Sequence, residues 1–515
     1  MGVRCVWMMM VVMTATEAVV ATEAHLLQHL THKVVLDQQG NYVMLWEPLE
    51  DRIVIEVQVA TRGYVILGFS TTGEMKGADI VLGWMDDLGR LFLHDRSSDG
   101  YTVPKVDESQ DVELLGGYQN DTHTVLRFSR PWVTCDHNDI RLSDDTVRVI
   151  WAYGDEDPKD IITMKMHSAG GTKSVYLQVP QLRFPRLSDD VQTWELVSPN
   201  VSLPDDLTTL YWCKLYKMPP INRKVHIIGY VPVIKEENLP YIHHIQLYEC
   251  HLPDSKRHFE KWLDVHGSQC FAPSTPISWY NCLSPIIAWA VGSEGEMYPD
   301  HVGLPIGEEY GGATYFMMEV HYDNPSLTPG VVDASGLRIF YTEVLRPNDA
   351  GLMVVGHDVS PKLIIPPNQS SWLTVGHCHG SCTGEVLPSG GVHVLQGLLH
   401  SHLLGSAISL RRVREGQELP AILQDMSYDF NYQQSRMLKQ EVTILPGDHL
   451  ITECNYDSSR RRAPTFGGLG TREEMCLAFL VYYPRVNLST CTSQPSKEAI
   501  FAGLGIQEVY GDHPM

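Results

Sequence analysis

The strongest constraint on the fold is a two-residue alternation of apolar and polar side chains. In the segment IVIEVQV (residues 53–59), the side chains of Ile55, Val57 and Val59 share one face and the polar side chains share the other. Successive side chains of a strand point to opposite sides of a sheet, so this pattern predicts a half-buried strand. Further runs (ADIVLGW, RLFLHD, TVLRFS and TVRVIWAYG), separated by turn signals such as DDLG, continue to Gly154. We therefore predict an N-terminal β-sandwich.

The rest of the chain repeats this pattern after a polar stretch. Strand-like runs continue to about Pro484, and the best helical candidate is only the short segment SWYNCLSPIIAWAVG. A length of 515 residues with 43% hydrophobic content fits roughly three or four domains at about 150 residues each. We predict an all-β chain with these divisions: a signal peptide (1–24), the first sandwich (30–154), a linker (155–190), two further β domains (191–345 and 346–500) and a tail (501–515).

The N-terminus predicts export. Arg4 precedes an apolar core from Cys5 to Met13, and small residues follow as far as Ala18 or Ala24, which is the layout of a secretory signal peptide. The alternative is a short buried helix. Four Asn-x-Ser/Thr sequons support export as predicted glycosylation sites. They are Asn120, Asn200, Asn368 and Asn487.

The cysteines and the net charge narrow the possible classes of protein further. Removal of Cys5 with the signal leaves ten of the 11 cysteines, and in an exported chain these predict disulfides whose pairing the sequence does not fix. A cytosolic zinc cluster would need tight CxxC pairs, which the sequence lacks. A formal charge of -23 without basic clusters argues against nucleic-acid binding. We predict a protein of the secretory pathway, secreted or lumenal in the endoplasmic reticulum or a granule, with no transmembrane anchor evident.

Two histidine pairs are candidate metal ligands. His400 and His402, in LLHSHLLG, would project from one face of a strand and so offer both imidazoles to one point. The alternative is two histidines satisfied by hydrogen bonds. His243 and His244 are adjacent and would point to opposite faces of a regular strand, so one metal could hold both only if the strand bends, as at a bulge. The alternative here is one surface and one buried histidine.

Two further candidates lie far from these pairs. They are His321 in MMEVHYDNP and Met475 in GGLGTREEMC. Thioether sulfur is a soft ligand that suits Cu(I) better than Zn(II) or Ca(II), so a His/His/Met set favours copper, which a set of three imidazoles also accepts. Taken alone, a methionine beside aromatic residues is usually a core residue, so Met475 becomes a candidate ligand only together with the histidines.

Taken together, the motifs HHIQLYEC, EVHYDNP, HVLQGLLHSHLLG and GGLGTREEMC resemble those of the copper type II, ascorbate-dependent monooxygenases, in the same order and spacing. The first sandwich resembles the DOMON domain that precedes the catalytic core in the dopamine-β-hydroxylase-like branch. The resemblance thus implies a DOMON β-sandwich followed by two jelly-roll-like copper-binding subdomains. It assigns His243, His244 and His321 to an electron-supplying copper, and His400, His402 and Met475 to the copper where oxygen and substrate meet.

The sequence departs from the family pattern at a few positions. Ile245 and Tyr248 stand where the family has Met and Phe, and Leu395 and Ser401 stand where it has Phe and Thr. All six implied ligands remain, so these changes predict altered substrate fit more than loss of copper. His393 occupies the leading histidine position of the second signature, as a neighbour of the metal site or as a structural residue.

The resemblance also implies four disulfide bonds. They are Cys213 with Cys270, Cys250 with Cys282, Cys378 with Cys491, and Cys454 with Cys476, the last fixing the loop that carries Met475. Cys135 and Cys382 remain, either free or paired with each other. His377 and His379 flank Cys378, but a disulfide there argues against a further metal. Asp79 of the first domain is a weaker candidate ligand, for which a loop-capping role is the expectation.

The activity implied by the resemblance is hydroxylation of a C–H bond. Ascorbate would reduce two coppers per chain one electron at a time, O2 would be the co-substrate, and the substrate would be small and amine-like or phenylethyl. One alternative is a secreted copper-binding or scaffold protein that has lost hydroxylation. A zinc hydrolase is a third possibility, but the chain has no general-base Glu in a recognised zinc motif. An oligomer is compatible with the sequence, which does not specify one.

Overall fold

The computed structural model describes residues 30–160, 163–178, 189–221, 223–252, 254–307 and 312–506. The chain forms two compact units, residues 1–181 and 182–515. The predicted signal peptide (1–24) and the end of the predicted tail (507–515) lie outside the described residues.

The first unit is a sandwich of two antiparallel sheets. One sheet has the strand order β1-β2-β3-β9-β8 and the other has β11-β10-β4-β5-β6-β7. The strands are β1 His32–Val35, β2 Tyr42–Pro48, β3 Arg52–Val59, β4 Val65–Ser70, β5 Asp79–Met85, β6 Leu91–Ser97, β7 Lys105–Val106, β8 Glu113–Gln119, β9 Thr124–Pro131, β10 Val147–Tyr153 and β11 Ala169–Val175. As the alternation predicts, Ile55, Val57 and Val59 are buried in the core between the two sheets. The prediction that the strand is only half-buried is wrong, since Val54 and Glu56 on its other face are buried as well and Glu56 pairs with Arg127.

The prediction of a linker over residues 155–190 is wrong for one part of that range. Residues 169–175 form β11, which pairs antiparallel with β10 in the register Ala152↔Gly170 and Trp151↔Gly171. The glycines that read as a flexible connection lie beside Trp151, and a Cβ at Gly171 would lie 2.9 Å from the Trp151 ring. The two glycines therefore allow the strand to pack against a bulky neighbour, which the sequence does not reveal.

The second unit begins with another pair of sheets. One sheet has the path β12-β23-β15-β20-β24 with β19 paired to β15, the other has β17-β14-β21-β16-β18, and β13 pairs with β22. The strands are β12 Val191–Val197, β13 Val201–Ser202, β14 Thr209–Lys217, β15 Val225–Val233, β16 Ile242–Cys250, β17 Ser268–Gln269, β18 Ser284–Ala290, β19 Glu296–Met297, β20 Val302–Ile306, β21 Tyr315–Asp323, β22 Val332–Asp333, β23 Gly336–Thr342 and β24 Asn348–Asp349.

A second sandwich completes this unit. Its sheets have the orders β31-β28-β34-β25-β35 and β27-β32-β29-β30, and β26 pairs with β33. The strands are β25 Gly351–His357, β26 Ile364–Ile365, β27 Trp372–Cys378, β28 Val392–His400, β29 Gly405–Arg414, β30 Gln417–Asp425, β31 Arg436–Ile444, β32 His449–Tyr456, β33 Thr465–Phe466, β34 Leu477–Tyr483 and β35 Thr490–Ser493.

Helices are few and short, so the all-β prediction is confirmed. Among the described residues the α-helices are α1 Ser255–Phe259, α2 Gly380–Val386 and α3 Lys497–Gly503, which overlaps the predicted tail. The segment that looked most helical forms a 3₁₀ turn, Ile277–Asn281, and then β18. None of the described helices has both the length and the apolar character that a bilayer crossing requires.

The two sandwiches of the second unit share one apolar core. Ile286 and Ile287 of β18 belong to the same buried cluster as Leu352 of β25, Leu398 of β28 and Phe479 of β34. Burial of apolar surface stabilises a contact by about 25 cal/mol per Å². The two sandwiches are therefore held face to face by the same effect that holds each one together.

Four disulfide bonds join the described parts of the second unit. They link Cys213 to Cys270, Cys250 to Cys282, Cys378 to Cys491, and Cys454 to Cys476, the four pairs implied by the family resemblance. Cys382 is a free thiol, so it does not pair with Cys135. Its Sγ lies 3.5 Å from the Sγ of Cys491.

The Cys454–Cys476 bond generates a stability prediction. It closes a 22-residue separation, and loop-closure entropy gives a loss of about 3 kcal/mol in the free energy of unfolding when such a bond is removed. Chemical denaturation of the double variant Cys454→Ser/Cys476→Ser should show this loss, whereas Cys382→Ser should stay within about 0.5 kcal/mol of the wild type. Equal stabilities for the double variant and the wild type would contradict it.

Candidate metal centre

A β-bulge resolves how two adjacent histidines can serve one site. On β16 and β21, Ile242 pairs with Tyr322 but His244 pairs with His321, so His243 is an extra residue in its strand. A bulge of this kind bends the strand and redirects a side chain. His243 and His244, which a regular strand would separate, are both buried and lie together with His321 in one group.

The three imidazoles face one another through the same ring nitrogen. The Nδ1 atom of His244 lies 3.1 Å from Nδ1 of His243 and 3.4 Å from Nδ1 of His321. Two nitrogens bound to one metal at about 2.0–2.1 Å lie about 2.9–3.4 Å apart for bond angles between 90° and 110°. His244 and His321 are 77 residues apart in the sequence. Together with His243 they nevertheless form one buried group of possible metal ligands.

The surroundings fix these rings from behind. The Oγ1 of Thr209 lies 2.7 Å from Nε2 of His321, and the Tyr211 ring stacks on His321 with centroids 4.1 Å apart. Glu319 lies two residues before His321 on β21, and its carboxylate oxygen is 3.9 Å from Nε2 of His244. Burial raises the pKa of Glu319 to about 8. Burial therefore favours the uncharged form of this carboxyl group.

The second histidine pair lies at the end of β28. His400 is the last residue of that strand and His402 follows two positions later, with ring centroids 5.2 Å apart and planes at 88°. The Nδ1 of His402 lies 3.1 Å from the carbonyl oxygen of Glu473. A carbonyl only accepts, so this nitrogen carries the proton and Nε2 keeps its lone pair. That Nε2 is buried and has no hydrogen-bond partner.

Gln433 orients His400 in the same sense. The Gln433 amide nitrogen donates to the carbonyl of Phe430 at 2.8 Å, so its Oε1 faces Nδ1 of His400 at 2.6 Å. Because Oε1 accepts, the His400 Nδ1 donates, and its Nε2 also keeps a lone pair. In metal sites, the ring nitrogen of a histidine that does not bind the metal regularly donates a hydrogen bond that sets the tautomer in this way.

A buried carboxylate ties the histidine turn to the methionine loop. Glu474 accepts hydrogen bonds from the Ser401 hydroxyl at 3.0 Å and from the backbone N–H groups of His402 and Leu404 at 2.9 and 2.6 Å. The next residue is Met475, which is buried, and its carbonyl accepts from the Tyr456 hydroxyl at 2.8 Å. Cys476 then enters its disulfide. The chain is thus fixed on both sides of Met475, by the hydrogen bonds of Glu474 before it and by the disulfide bond of Cys476 after it.

The two histidine groups lie against each other. The His243 ring centroid is 6.1 Å from that of His400 and 5.9 Å from that of His402, and His244 is 5.7 Å from His400. The Phe430 ring stacks on His243 at 4.5 Å. The resemblance implies two separate sites; in this structure the five imidazoles of those sites form one continuous group.

Burial keeps all five imidazoles neutral. Burial and the neighbouring His244 lower the pKa of His400 to about 3, and burial alone lowers that of His244 to about 3. The same causes hold the pKa of each of the other three well below the usual value. These are His243, His321 and His402. Neutral imidazoles offer lone pairs, which is the state that a metal ligand requires.

Other residues singled out in the sequence lie in different surroundings. His393 contacts the Thr443 hydroxyl at 3.0 Å and the Tyr483 ring, as a structural histidine does. His377 and His379 lie against His449 at the surface. The sequon asparagines, Asn120, Asn200, Asn368 and Asn487, are all exposed.

Comparison with known proteins gives the family. Residues 194–329 match the N-terminal domain of the copper type II ascorbate-dependent monooxygenases, residues 348–502 match their C-terminal domain, and residues 38–154 match the DOMON domain. The chain is 41% identical over 482 residues to human "DBH-like monooxygenase protein 1", covering 93% of this chain and 77% of that protein. The chain belongs to the copper type II ascorbate-dependent monooxygenases.

Two other members of the family show how widely the similarity extends. "MOXD1 homolog 1" of Drosophila melanogaster is 38% identical over 491 residues, covering 92% of this chain and 70% of that protein. "Dopamine beta-hydroxylase" of Rattus norvegicus is 33% identical over 468 residues, covering 90% and 74%. The resemblance found in the sequence motifs is thereby confirmed.

Three residues that surround the histidines were not found from the sequence. Glu319 and Glu474 could have been noticed from their positions in the sequence, since Glu319 lies two residues before His321 and Glu474 lies directly before Met475. Gln433 has no such signal, because it lies in the connection between β30 and β31, far along the chain from His400 and from His243, whose Nε2 lies 3.3 Å from the Gln433 amide nitrogen. Only the packing of the two sandwiches shows it.

The hydrogen bonds of Glu474 predict a loss of stability on substitution. In Glu474→Gln an amide N–H₂ replaces one accepting oxygen and faces a buried donor, so we expect a loss of about 1–3 kcal/mol in the free energy of unfolding. Denaturant titration measures it. The neighbouring Glu473→Gln is the matched control, since the Glu473 side chain accepts only from the exposed Gly470 N–H. Equal stability of both variants would contradict the role assigned to Glu474.

Proposed function

We propose that the chain is a copper-dependent monooxygenase that uses O2 and ascorbate to hydroxylate a C–H bond. His243, His244 and His321 would hold the copper that supplies electrons, and His400, His402 and Met475 the copper at which oxygen and substrate meet. The observation that carries the proposal is the group of five buried, neutral imidazoles: the Nδ1 atoms of His243, His244 and His321 lie at metal-ligand spacing, and the Nε2 of His402 has no partner.

The donor sets fit copper. Three Nδ1 atoms at metal-ligand spacing suit a borderline cation, and two Nε2 lone pairs with a thioether suit an ion that cycles through Cu(I). An orphaned nitrogen lone pair in a buried site costs about 1–3 kcal/mol. A bound cation at His402 Nε2 would remove that cost. When bound, copper would supply the redox chemistry with oxygen.

The residues of the chain would do three things around the metals. Glu473 and Gln433 fix the tautomers of His402 and His400, so that each ring presents Nε2. Glu474 holds the histidine turn and the methionine loop in one arrangement. The aromatic side chains Phe430 and Tyr211 cover the first group of histidines, which limits water around them. Since the two groups are in contact, electrons would have only a short distance to travel.

The substrate class rests on the similarity to relatives. A small amine-like or phenylethyl substrate fits the name "Dopamine beta-hydroxylase" carried by a relative 33% identical to this chain. A net charge of -23 is compatible with a cationic substrate. The disulfide bonds support a place in the secretory pathway, since such bonds persist in oxidising compartments.

Copper content tests the ligand assignment. The full chain, loaded with copper and then dialysed, should retain about two copper ions, as expected for two ligand sets. His243→Ala and His400→Ala should each retain about one. The exposed His377→Ala should retain two and serves as the control. A wild-type value near one or zero would overturn the proposal of two sites.

Met475→Ala separates binding from turnover. We expect this variant to keep the copper held by the histidines but to lose ascorbate-dependent hydroxylation, because the thioether is the soft ligand that favours the reduced ion. Product formation from phenylethylamine-type substrates and copper content are measured together, with Met437→Ala on β31 as the control. Unchanged hydroxylation would remove Met475 from the mechanism. Two bound coppers with no hydroxylation in the wild type would favour the scaffold alternative.

A further inference from the structure

Three consecutive arginines lie in one surface loop of a chain whose net charge is -23. They are Arg460, Arg461 and Arg462, in the connection between β32 and β33. Serine endoproteases that cut after basic residues bind the guanidinium group in a pocket that carries an acidic side chain. We call residues 459–464 the arginine loop.

The arginine loop is exposed and weakly held. Arg461 is partly exposed, and the other five residues of the loop are exposed. Within the described residues, two hydrogen bonds hold its backbone: the N–H of Arg461 donates to the carbonyl of Ser458 and the N–H of Ser459 to a side-chain oxygen of Asp457, both at 2.9 Å. A surface segment with so few contacts opens at low cost and is a preferred site of proteolysis.

The arginine side chains are available as well. Among the residues that the structure describes, none forms a hydrogen bond or an ion pair with the side chain of Arg461 or Arg462. An extended peptide that docks into a protein groove uses its main chain for affinity and its side chains for specificity. The arginine loop can therefore offer both to an endoprotease once its short turn opens.

The other pairs of adjacent basic residues are held by the fold. Arg411 and Arg412 lie in β29, which has β30 on one side and β32 on the other, and Arg411 forms ion pairs with Glu418 and Glu453. Cleavage at this pair would require a central strand to open. The remaining pairs are Lys256–Arg257, which lies in the helix α1, and Arg223–Lys224, whose members form ion pairs with Glu343 and Asp349.

Disulfide bonds cross the arginine loop. Cys454 lies before the loop and its partner Cys476 after it, and the same is true of Cys378 and Cys491. The strand β34, which also follows the loop, lies between β28 and β25 in its sheet. A cut within the loop would therefore leave the two parts of the chain covalently joined and packed together.

We propose that the arginine loop is a processing site, at which an endoprotease specific for paired basic residues hydrolyses the peptide bond between Arg462 and Ala463. Water adds across this bond, so that Arg462 gains a free carboxylate and Ala463 a free amino group. Arg462 would enter the pocket beside the cut bond and Arg461 the next one. The product would be a disulfide-linked two-chain form with Met475 on the shorter chain. The source of the protease rests on the secretory-pathway location proposed above.

Digestion of the purified full chain tests the site. The folded protein is incubated with kexin, a serine endoprotease that cuts after paired basic residues, and the products are separated with and without a reducing agent and sequenced from their N-termini. We expect one new N-terminus, at Ala463, with two bands after reduction and one band without it. No cut in the folded wild type, or a first cut after Arg412, would overturn the proposal.

Substitutions separate recognition from simple exposure. The double variant Arg461→Gln/Arg462→Gln should lose the cut, because a neutral amide cannot replace a guanidinium group in an acidic pocket. Arg461→Lys keeps the charge and should be cut like the wild type, as should the matched control Lys256→Gln/Arg257→Gln on α1. Equal cutting of the first double variant would overturn the proposal. So would an uncut wild type that heparin retains through the same arginines, since the loop would then be a polyanion-binding surface.

Protein recovered from the medium of cultured animal cells tests the processing itself. We expect the wild type to give two bands after reduction and Arg461→Gln/Arg462→Gln to give one. An intact wild type in the medium would overturn the proposal. A wild type that stays in the cytosol would overturn the location on which the proposal rests, and digestion of the purified chain distinguishes that failure from a failure of the site.

Discussion

The site of the second unit depends on the apolar contact between its two sandwiches. Each sandwich carries one group of histidines, and neither group would meet the other without the shared core of β18, β25, β28 and β34. This contact brings His243 within 6.1 Å of His400, measured between ring centroids. The same contact lets Gln433 bond to both sandwiches. Its backbone N–H donates to the carbonyl of Val291 in the first sandwich at 2.9 Å, and its side chain accepts from His400 in the second.

Hydrophobic burial and metal chemistry are linked through this contact. Burial is what lowers the pKa of each imidazole, and it is also what removes the water that could satisfy the free nitrogen of His402. Among the five neutral imidazoles, the Nε2 of His402 is buried and has no hydrogen-bond partner in the protein. A cation bound there, as proposed, would supply the interaction that the fold leaves out.

Much of this arrangement was predictable from sequence because it is local. Alternation gives the strands, and the spacing of His400 and His402 predicts a common direction even though β28 ends at His400. The bulge at His243 could be stated only as a condition, since bulges depend on the partner strand and a single sequence does not contain the register. Gln433 and the contact between the histidine groups depend on packing of distant segments. The strand β11 was missed for the same reason, since its glycines fit against Trp151.

The ligand chemistry of the histidine groups differs from that of a hard-ion site. The Nε2 of His402 is buried without a hydrogen-bond partner, and its ring is held by Glu473, two residues before Met475. Nitrogen lone pairs together with a thioether suit a soft or borderline ion, whereas a hard ion such as calcium prefers oxygen ligands. The donor types of this unit therefore fit copper better than calcium.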